Sequence, residues 1–319
     1  MFLVVTNESD VTSDYIILEL RDRGHPFFRL NTERLSRGQF SSRYTDGTKV
    51  ALLRLRDTIV DLAQVRCGYF RRPAAPLVPE YVVGPAEREY CAAEWQALLR
   101  SLYGMVGDRW LNRPSAIANA EDKPLQISHA QRIGFRVPST LISNDPSAIT
   151  EFVEQGPTIA KTLRASLIGE GASERVIFTN RIASTSGTDP RAFEAAPAIY
   201  QREIDKAFDV RVSVVGSRCF TALIASQEFV ETEVDWRRGS DPRVKHIAHE
   251  LPKDVERQCV AITHHFDLSF SAIDLVLDRN GQYWFLEMNP NGQWAWIENR
   301  LGLPIARALV DEMERKANR

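Results

Sequence analysis

The chain has 319 residues, with Lys+Arg 40 against Asp+Glu 42 and a formal net charge of −2. With 44% hydrophobic and 26% charged residues, it has the balance of a globular protein with material for more than one core. This composition excludes general disorder and whole-surface attraction to nucleic acid or anionic lipid. At ~150 residues per domain, the length predicts about two domains. The opening MFLVVTNESD has no basic n-region, and no stretch approaches the ~18 apolar residues of a membrane span, so a cytoplasmic protein without membrane attachment is expected. Cys67, Cys91, Cys219 and Cys259 are far apart with no C-x-x-C pair, which predicts isolated thiols rather than disulfides or a zinc site.

In chain order, the apolar run Phe2 to Thr6 predicts a buried strand. Asn7, Ser9 and Asp10 offer N-caps for a helix over Val11 to Arg23, Gly24 stops it, and Pro26 to Leu30 predicts a second strand. The turn T-N-E-S-D lacks the glycines of a dinucleotide site, so this βαβ opening reads as structural or substrate-facing. Ala51–Leu55 and Thr58–Leu62 predict two further strands. In the following Y69-F-R-R-P73, Arg71 and Arg72 could hold an anionic group or stand as a solvated pair. A long helix is predicted from about Glu87 to Met105, with a first boundary near Trp110.

Ala120 to Arg132 is helical in pattern and is stopped by Gly134 and Pro138. A strand over Ser139–Ile142, a helix over Pro146–Gln155 and a strand over Thr158–Thr162 follow. Beyond Lys161 lies a loop with Gly169 and Gly171, whose backbone N–H groups could lie over phosphates, and then a strand over Arg175–Thr179. The last third is strand-rich, over Ala198–Ile204, Val210–Val215, Arg218–Ser226, Phe270–Leu277 and Gln282–Met288, and ends in a helix over Leu303–Lys316. The expected class is α/β at the N-terminus and α+β beyond it.

The most informative stretch is A272-I-D-L-V-L-D-R-N-G-Q-Y-W-F-L-E-M-N-P-N-G-Q-W294. Asn280-Gly281 between two alternating runs predicts a two-residue type I′ hairpin, which sets Asp274 directly opposite Glu287. Asn289 shares that face by the strand period, and Ile273, Leu275, Trp284 and Leu286 occupy the other. Like charges in direct opposition destabilise a sheet unless something compensates. Two carboxylates and an amide oxygen on one face form a hard-oxygen site suited to Mg²⁺.

L-E-M-N-P-N-G-Q-W resembles the ATP-grasp ligases, and within them the ribosomal-peptide maturases that make graspetides of the microviridin type. The resemblance spans roughly residues 1 to 300 and implies an ATP-grasp fold behind an N-terminal pre-ATP-grasp α/β domain. We therefore expect three units: residues 1–110, a central subdomain 111–197, and a C-terminal subdomain 198–319 carrying the Mg²⁺ and ATP site. By the resemblance, Lys123 and Lys161 bind ATP phosphates, the hinge around Gln201, Glu203 and Ile204 reads adenine, and Lys206 lies near the ribose. Arg211 faces the γ-phosphate or acyl phosphate. Arg72 and the D235-W-R segment with Arg237 look like substrate-binding features of the maturases, and Arg202 stands where related ligases often carry an acidic residue.

A carboxylate is a poor electrophile, and phosphorylation gives it a good leaving group. Mg²⁺ on Asp274, Glu287 and Asn289 would neutralise phosphate charge, and a guanidinium at Arg211 can fork onto two oxygens of an acyl phosphate or tetrahedral centre. Such chemistry needs no nucleophilic Ser or Cys. His246 with His249, and His264 with His265, have no nearby ligand that completes a zinc pattern.

The implied function is an ATP-dependent macrocyclase. It would join Asp or Glu side chains of a ribosomal precursor peptide with a leader to Thr/Ser hydroxyls or Lys amines, and by resemblance it would act as a homodimer. The alternatives are an ATP-grasp carboxylate–amine ligase for a small acid or protein tail, and a non-catalytic ATP-binding scaffold. The paired lysines and the two carboxylates disfavour the scaffold.

Overall fold

In the computed structural model of the chain, the described residues are 1–45, 48–55, 58–164, 167–168, 175–238 and 243–318. The N-terminal elements form as the pattern predicts. Strand β1 (Phe2–Thr6) leads through helix α1 (Thr12–Asp22) to β2 (Phe27–Asn31), and the two strands pair in parallel. Ile16 and Leu20, four apart on one helix face, are fully buried, and Gly24 ends the turn at φ +71°, where glycine avoids the Cβ penalty. The expected side-chain caps do not form. Val11 occupies the N-cap position, and the Asp10 carboxylate instead accepts from the Thr6 and Ser13 hydroxyls.

Strands β3 (Gln39–Thr45), β4 (Thr48–Leu55) and β5 (Thr58–Asp61) form an antiparallel sheet of their own. The sequence reading missed β3, whose residues are mostly exposed and polar and carry little hydrophobic signal. Strand β6 (Cys67–Phe70) returns to pair in parallel with β1, and α2 (Pro85–Val106) covers the unit with Leu99, Leu102 and Val106. The helix predicted over Ala120–Arg132 forms as α4 (Lys123–Ile133), and a separate helix, α3 (Pro114–Ala120), precedes it. Asp122 caps α4 by accepting from Leu125 N at 2.9 Å.

Strand β7 (Thr140–Ser143), helix α5 (Pro146–Glu154) and strand β8 (Thr158–Lys161) follow. The short ribbon β9 (Leu167–Ile168) and β10 (Arg175–Val176) comes next, then β11 (Asn180–Ile182), α6 (Pro190–Glu194) and β12 (Ala198–Arg202). A central antiparallel sheet has the order β11-β8-β12-β7. Of the strand predicted over Arg175–Thr179 only Arg175–Val176 forms, as β10, and β11 begins just beyond it at Asn180.

The largest sheet has the order β15-β14-β13-β16-β17, all antiparallel, built from β13 (Lys206–Val215), β14 (Arg218–Ile224), β15 (His246–His249), β16 (Phe270–Asp278) and β17 (Tyr283–Asn289). Helix α7 (Lys253–His265), also absent from the sequence reading, packs Val255, Cys259 and Ile262 beneath this sheet beside α4. Helices α8 (Ala295–Leu301) and α9 (Ile305–Ala317) turn back, and Ile305, Leu309 and Met313 share one core with Phe2, Ile16 and Leu20 of the N-terminal unit. The cysteines carry free thiols. No helix among the described residues is long and apolar enough to cross a membrane.

The β16–β17 hairpin differs from expectation in an instructive way. Its loop holds three residues, Arg279, Asn280 and Gly281, between Asp278 and Gln282, and Gly281 alone takes a positive φ, +77°. The Asp278 carboxylate accepts from Asn280 N, Gln282 N and Trp284 Nε1, which favours the longer loop over the type I′ turn. That loop shifts the register by one near the turn, so Leu275 pairs with Phe285, Val276 with Trp284 and Leu277 with Tyr283. An irregularity between Asp274 and Leu275 restores it, and Asp274 does stand opposite Glu287, with Ala272 opposite Asn289. The buried side of the hairpin is consequently Ile273, Leu275, Phe285 and Met288. Trp284 and Leu286, expected there, remain only partly buried.

Candidate active site

A cavity of about 460 Å³ opens between the central sheet and the large sheet. Lys123 and Lys161 line it with Asp274, Glu287, Asn289 and Arg237, so six of the candidate residues meet at one place. Each comes from a different local logic. Lys123 is the first residue of α4, Lys161 the last of β8, and the acidic pair faces across β16 and β17. Asn289 ends β17, and Arg237 sits in a short turn after β14, the large sheet's second strand in chain order.

The charges form a mutually compensating cluster. Lys123 Nζ donates to Thr162 O at 3.0 Å and lies 3.2 Å from Glu287 Oε2, while Arg237 Nη1 lies 3.9 Å from Glu287 Oε1. Burial alone would push the Glu287 carboxyl up, but Lys123, Lys161 and Arg237 together hold it down at about 2. Burial lowers the Lys161 ammonium to about 8, although Glu287 opposes the shift. The Asp274 carboxyl is raised by burial, with Arg211 pulling down and Glu287 pushing up. Arg237 is braced by Asp235, whose carboxylate accepts from its Nε at 2.8 Å and Nη2 at 2.9 Å.

Among the described residues no three His, Cys, Asp or Glu side chains cluster for a metal. The donor set at Asp274, Glu287 and Asn289 is two carboxylates and an amide. Two directly opposed carboxylates in a partly enclosed cavity repel, and a divalent cation with oxygen preference relieves that repulsion, so these residues fit Mg²⁺.

Other candidates stand elsewhere. Arg211, on β13 beside Asp274, is only 6% exposed and is absent from the cavity lining. Its Nη1 donates to both Asp274 oxygens at 2.8 and 2.7 Å, and its Nη2 donates to Gln293 O at 3.1 Å, so it supports Asp274 from the neighbouring strand. Lys206, expected near a ribose, is buried against Asp209 instead. Its Nζ donates to both carboxylate oxygens at 3.0 and 2.8 Å and to Val234 O at 3.3 Å, and a buried ammonium needs such partners.

Gln201, Glu203 and Ile204 lie at the end of β12 but are not among the cavity-lining residues. Gln201 Nε2 donates to Thr140 Oγ1 at 2.9 Å, and Glu203 accepts from Arg181 Nε at 2.7 Å. Arg202 turns toward α5, donating to Gly156 O and Thr158 Oγ1, both at 2.6 Å, and stacking over the Phe152 ring. Arg72 is exposed and outside the cavity, whereas its neighbour Arg71, just past the end of β6, is buried and donates to Asn291 O. Gly169 and Gly171 lie outside the described residues. The histidines satisfy local partners: His246 faces Val244 O, and His249 the Tyr283 hydroxyl.

Sequence reasoning missed Glu121, Asp209 and Gln126 in the cavity wall. Of these, Gln126 had a usable signal, since it stands three residues after Lys123 on the same helix face.

Gly292 is demanded by packing. A Cβ there would lie 2.3 Å from Ala272 Cβ and 2.8 Å from Arg211 Nη2. Gly292→Ala is expected to displace the Arg211 guanidinium, with an overpacking cost of about 1–3 kcal/mol. A thermal melt should show a Tm lower by several degrees, and nucleotide turnover should fall at least about tenfold. A fully active variant of parental stability would show that the loop yields freely.

Residues 120–313 match the RimK-like ATP-grasp domain family. A ribosomal protein bS6–L-glutamate ligase of Escherichia coli O7:K1 is 24% identical over 220 residues, covering 67% of this chain and 70% of the relative. Among solved structures, a Chryseobacterium gregarium RiPP-associated ATP-grasp ligase, in complex with ADP and a leader and core peptide, superposes with a TM-score of 0.91 at 23% identity, covering 99% of this chain and 96% of that one. The macrocyclase MdnC of Microcystis aeruginosa MRC, bound with precursor peptide MdnA, superposes with a TM-score of 0.83 at 27% identity over 99% of both chains.

Proposed function

The chain belongs to the RimK-like ATP-grasp family, and from that premise we propose that it is an ATP-dependent macrocyclase of a ribosomally made precursor peptide. The observation that supports a peptide substrate is the likeness to MdnC, which runs the whole length of the chain and includes the N-terminal unit ahead of the ATP-grasp region. In this reading residues 1–110, 111–197 and 198–319 act as three units, and the protein works in the cytoplasm as a homodimer.

ATP phosphates lie against Lys123 and Lys161, and Asp274, Glu287 and Asn289 hold Mg²⁺, which when bound neutralises charge on the phosphates. The Asp or Glu side chain of the peptide takes the γ-phosphoryl group as ADP leaves. A Thr or Ser hydroxyl, or a Lys amine, then attacks the acyl phosphate, phosphate departs, and the attacking group loses its proton. Arg237, fixed by Asp235 at the cavity wall, holds the peptide carboxylate, and Arg72 binds peptide from the N-terminal unit. Arg211 stabilises the developing oxyanion from beside Asp274. Gln201, Glu203 and Ile204 present the adenine hinge.

The test is incubation with a candidate precursor peptide, ATP and Mg²⁺, followed by mass spectrometry. A loss of about 18 Da per ring with equimolar ADP supports the proposal, because ring closure releases the elements of one water. The likeness to the bS6–L-glutamate ligase favours a second reading, carboxylate–amine ligation onto a protein tail. A gain of glutamate mass on an acceptor, with no loss from the peptide, would establish that reading instead.

A further inference from the structure

The strand that carries Glu287 and Asn289 and the loop that follows it have their backbone gripped by side chains from four separate segments of the chain. Asn112 Nδ2 donates to Pro290 O at 3.4 Å, Arg71 donates to Asn291 O, and Arg211 Nη2 donates to Gln293 O at 3.1 Å. The fourth grip differs in kind. Gln126 Nε2 donates to Met288 O at 2.7 Å, and Gln126 Oε1 accepts from Met288 N at 2.8 Å. One side-chain amide therefore meets both polar groups of one residue, as a neighbouring strand would, and that residue lies between Glu287 and Asn289.

Gln126 is 2% exposed, and its amide also donates to Ala120 O at 2.6 Å, so its orientation is fixed. It shares a face of α4 with Lys123, and that face meets β17 twice, at Glu287 through the lysine and at Met288 through the amide. The Met288 side chain is itself anchored in the core. Because alternate residues of a strand point the same way, fixing the backbone at Met288 fixes where both Glu287 and Asn289 emerge.

We propose that Gln126 is a positioning residue that sets the spacing between the phosphate-binding helix end and the cation-binding strand. It acts through the Met288 backbone and touches neither ligand. Groups that orient metal ligands in this way typically contribute 10–100-fold to metal affinity. The proposal rests on the reading of Glu287 and Asn289 as Mg²⁺ ligands.

The test is calorimetric binding of a non-hydrolysable ATP analogue to the full chain across a series of Mg²⁺ concentrations, with circular-dichroism melts alongside. Gln126→Met removes the amide at similar volume, and Gln126→Asn withdraws it by one methylene. In folded protein, the Mg²⁺ concentration for half-maximal analogue binding should rise about tenfold or more in Gln126→Met and by less in Gln126→Asn. At saturating Mg²⁺, analogue affinity should return to within about threefold of the parent. An unchanged Mg²⁺ dependence, or a loss that Mg²⁺ does not restore, overturns the proposal. If Gln126→Met fails to fold, Gln126→Asn decides by the same criterion. Failure of the underlying reading looks different: analogue binding to the parent would ignore Mg²⁺, or Glu287→Gln would leave it unchanged.

Discussion

Glu287→Gln should abolish ATP-dependent turnover, by about 10³-fold or more, in a protein that remains folded. The carboxylate is the acidic hub of the cavity, 3.2 Å from Lys123 and 3.9 Å from Arg237, and it is held ionised by those cations and Lys161. An amide of the same shape keeps the strand and its packing but removes one unit of ligand charge. The proposed Mg²⁺ site would lose a carboxylate, and the three cations would lose their shared counter-charge. Lys161, already lowered to about 8 by burial with Glu287 opposing the shift, would lose its proton at still lower pH and bind phosphate less well near neutrality. Metal and charge stabilisation in phosphoryl transfer supplies several kcal/mol, which converts to the stated loss at about 1.4 kcal/mol per tenfold. The change in stability should be about 1 kcal/mol, because the site is partly open and screened, and this amounts to a Tm shift of about 2–4 °C. Turnover of ATP to ADP with the peptide substrate, read beside a thermal melt, checks both halves. Full activity in the folded variant would remove Glu287 from the metal site.

Arg211→Ala separates binding from chemistry. The guanidinium lies beside Asp274 rather than in the cavity, so at saturating Mg²⁺ ATP affinity should hold within about threefold while product formation slows by about 10²-fold or more. The variant also leaves a deeply set carboxylate without its guanidinium partner, and breaking such a pair typically costs about 3–5 kcal/mol, so a Tm lower by several degrees is expected. Arg211→Lys keeps the charge but not the two-pronged geometry. It should recover stability more than rate. Single-turnover kinetics with separate nucleotide binding distinguish the outcomes, and a defect confined to affinity would reassign Arg211 to ATP binding.

The hairpin shows how a site can be legible while its geometry is not. Asp274 faces Glu287 as the Asn-Gly turn implied, yet the turn itself is longer, and an irregularity beside Asp274 cancels the shift. Two compensating local changes left the acidic pair in place and exchanged the apolar side, putting Phe285 and Met288 in the core where Trp284 and Leu286 were expected. The Asp278 carboxylate, which caps the loop and binds the Trp284 indole, carries no pattern that distinguishes it from any acidic turn residue.

The sequence by itself determined the parallel βαβ opening, the acidic hairpin, and the lysine at the end of β8. These follow from short-range chemistry: apolar periodicity, glycine and proline stops, and the two-residue period of a strand. Only the tertiary structure decided which charges meet. It spent Lys206 on Asp209, set Arg211 beside Asp274, turned Arg71 inward and Arg72 outward, and joined Gln126 to Met288 across 162 positions of chain. The physical reason is that a buried charge or amide takes whichever partner the packing of distant elements brings within about 3 Å, and no local pattern encodes that choice.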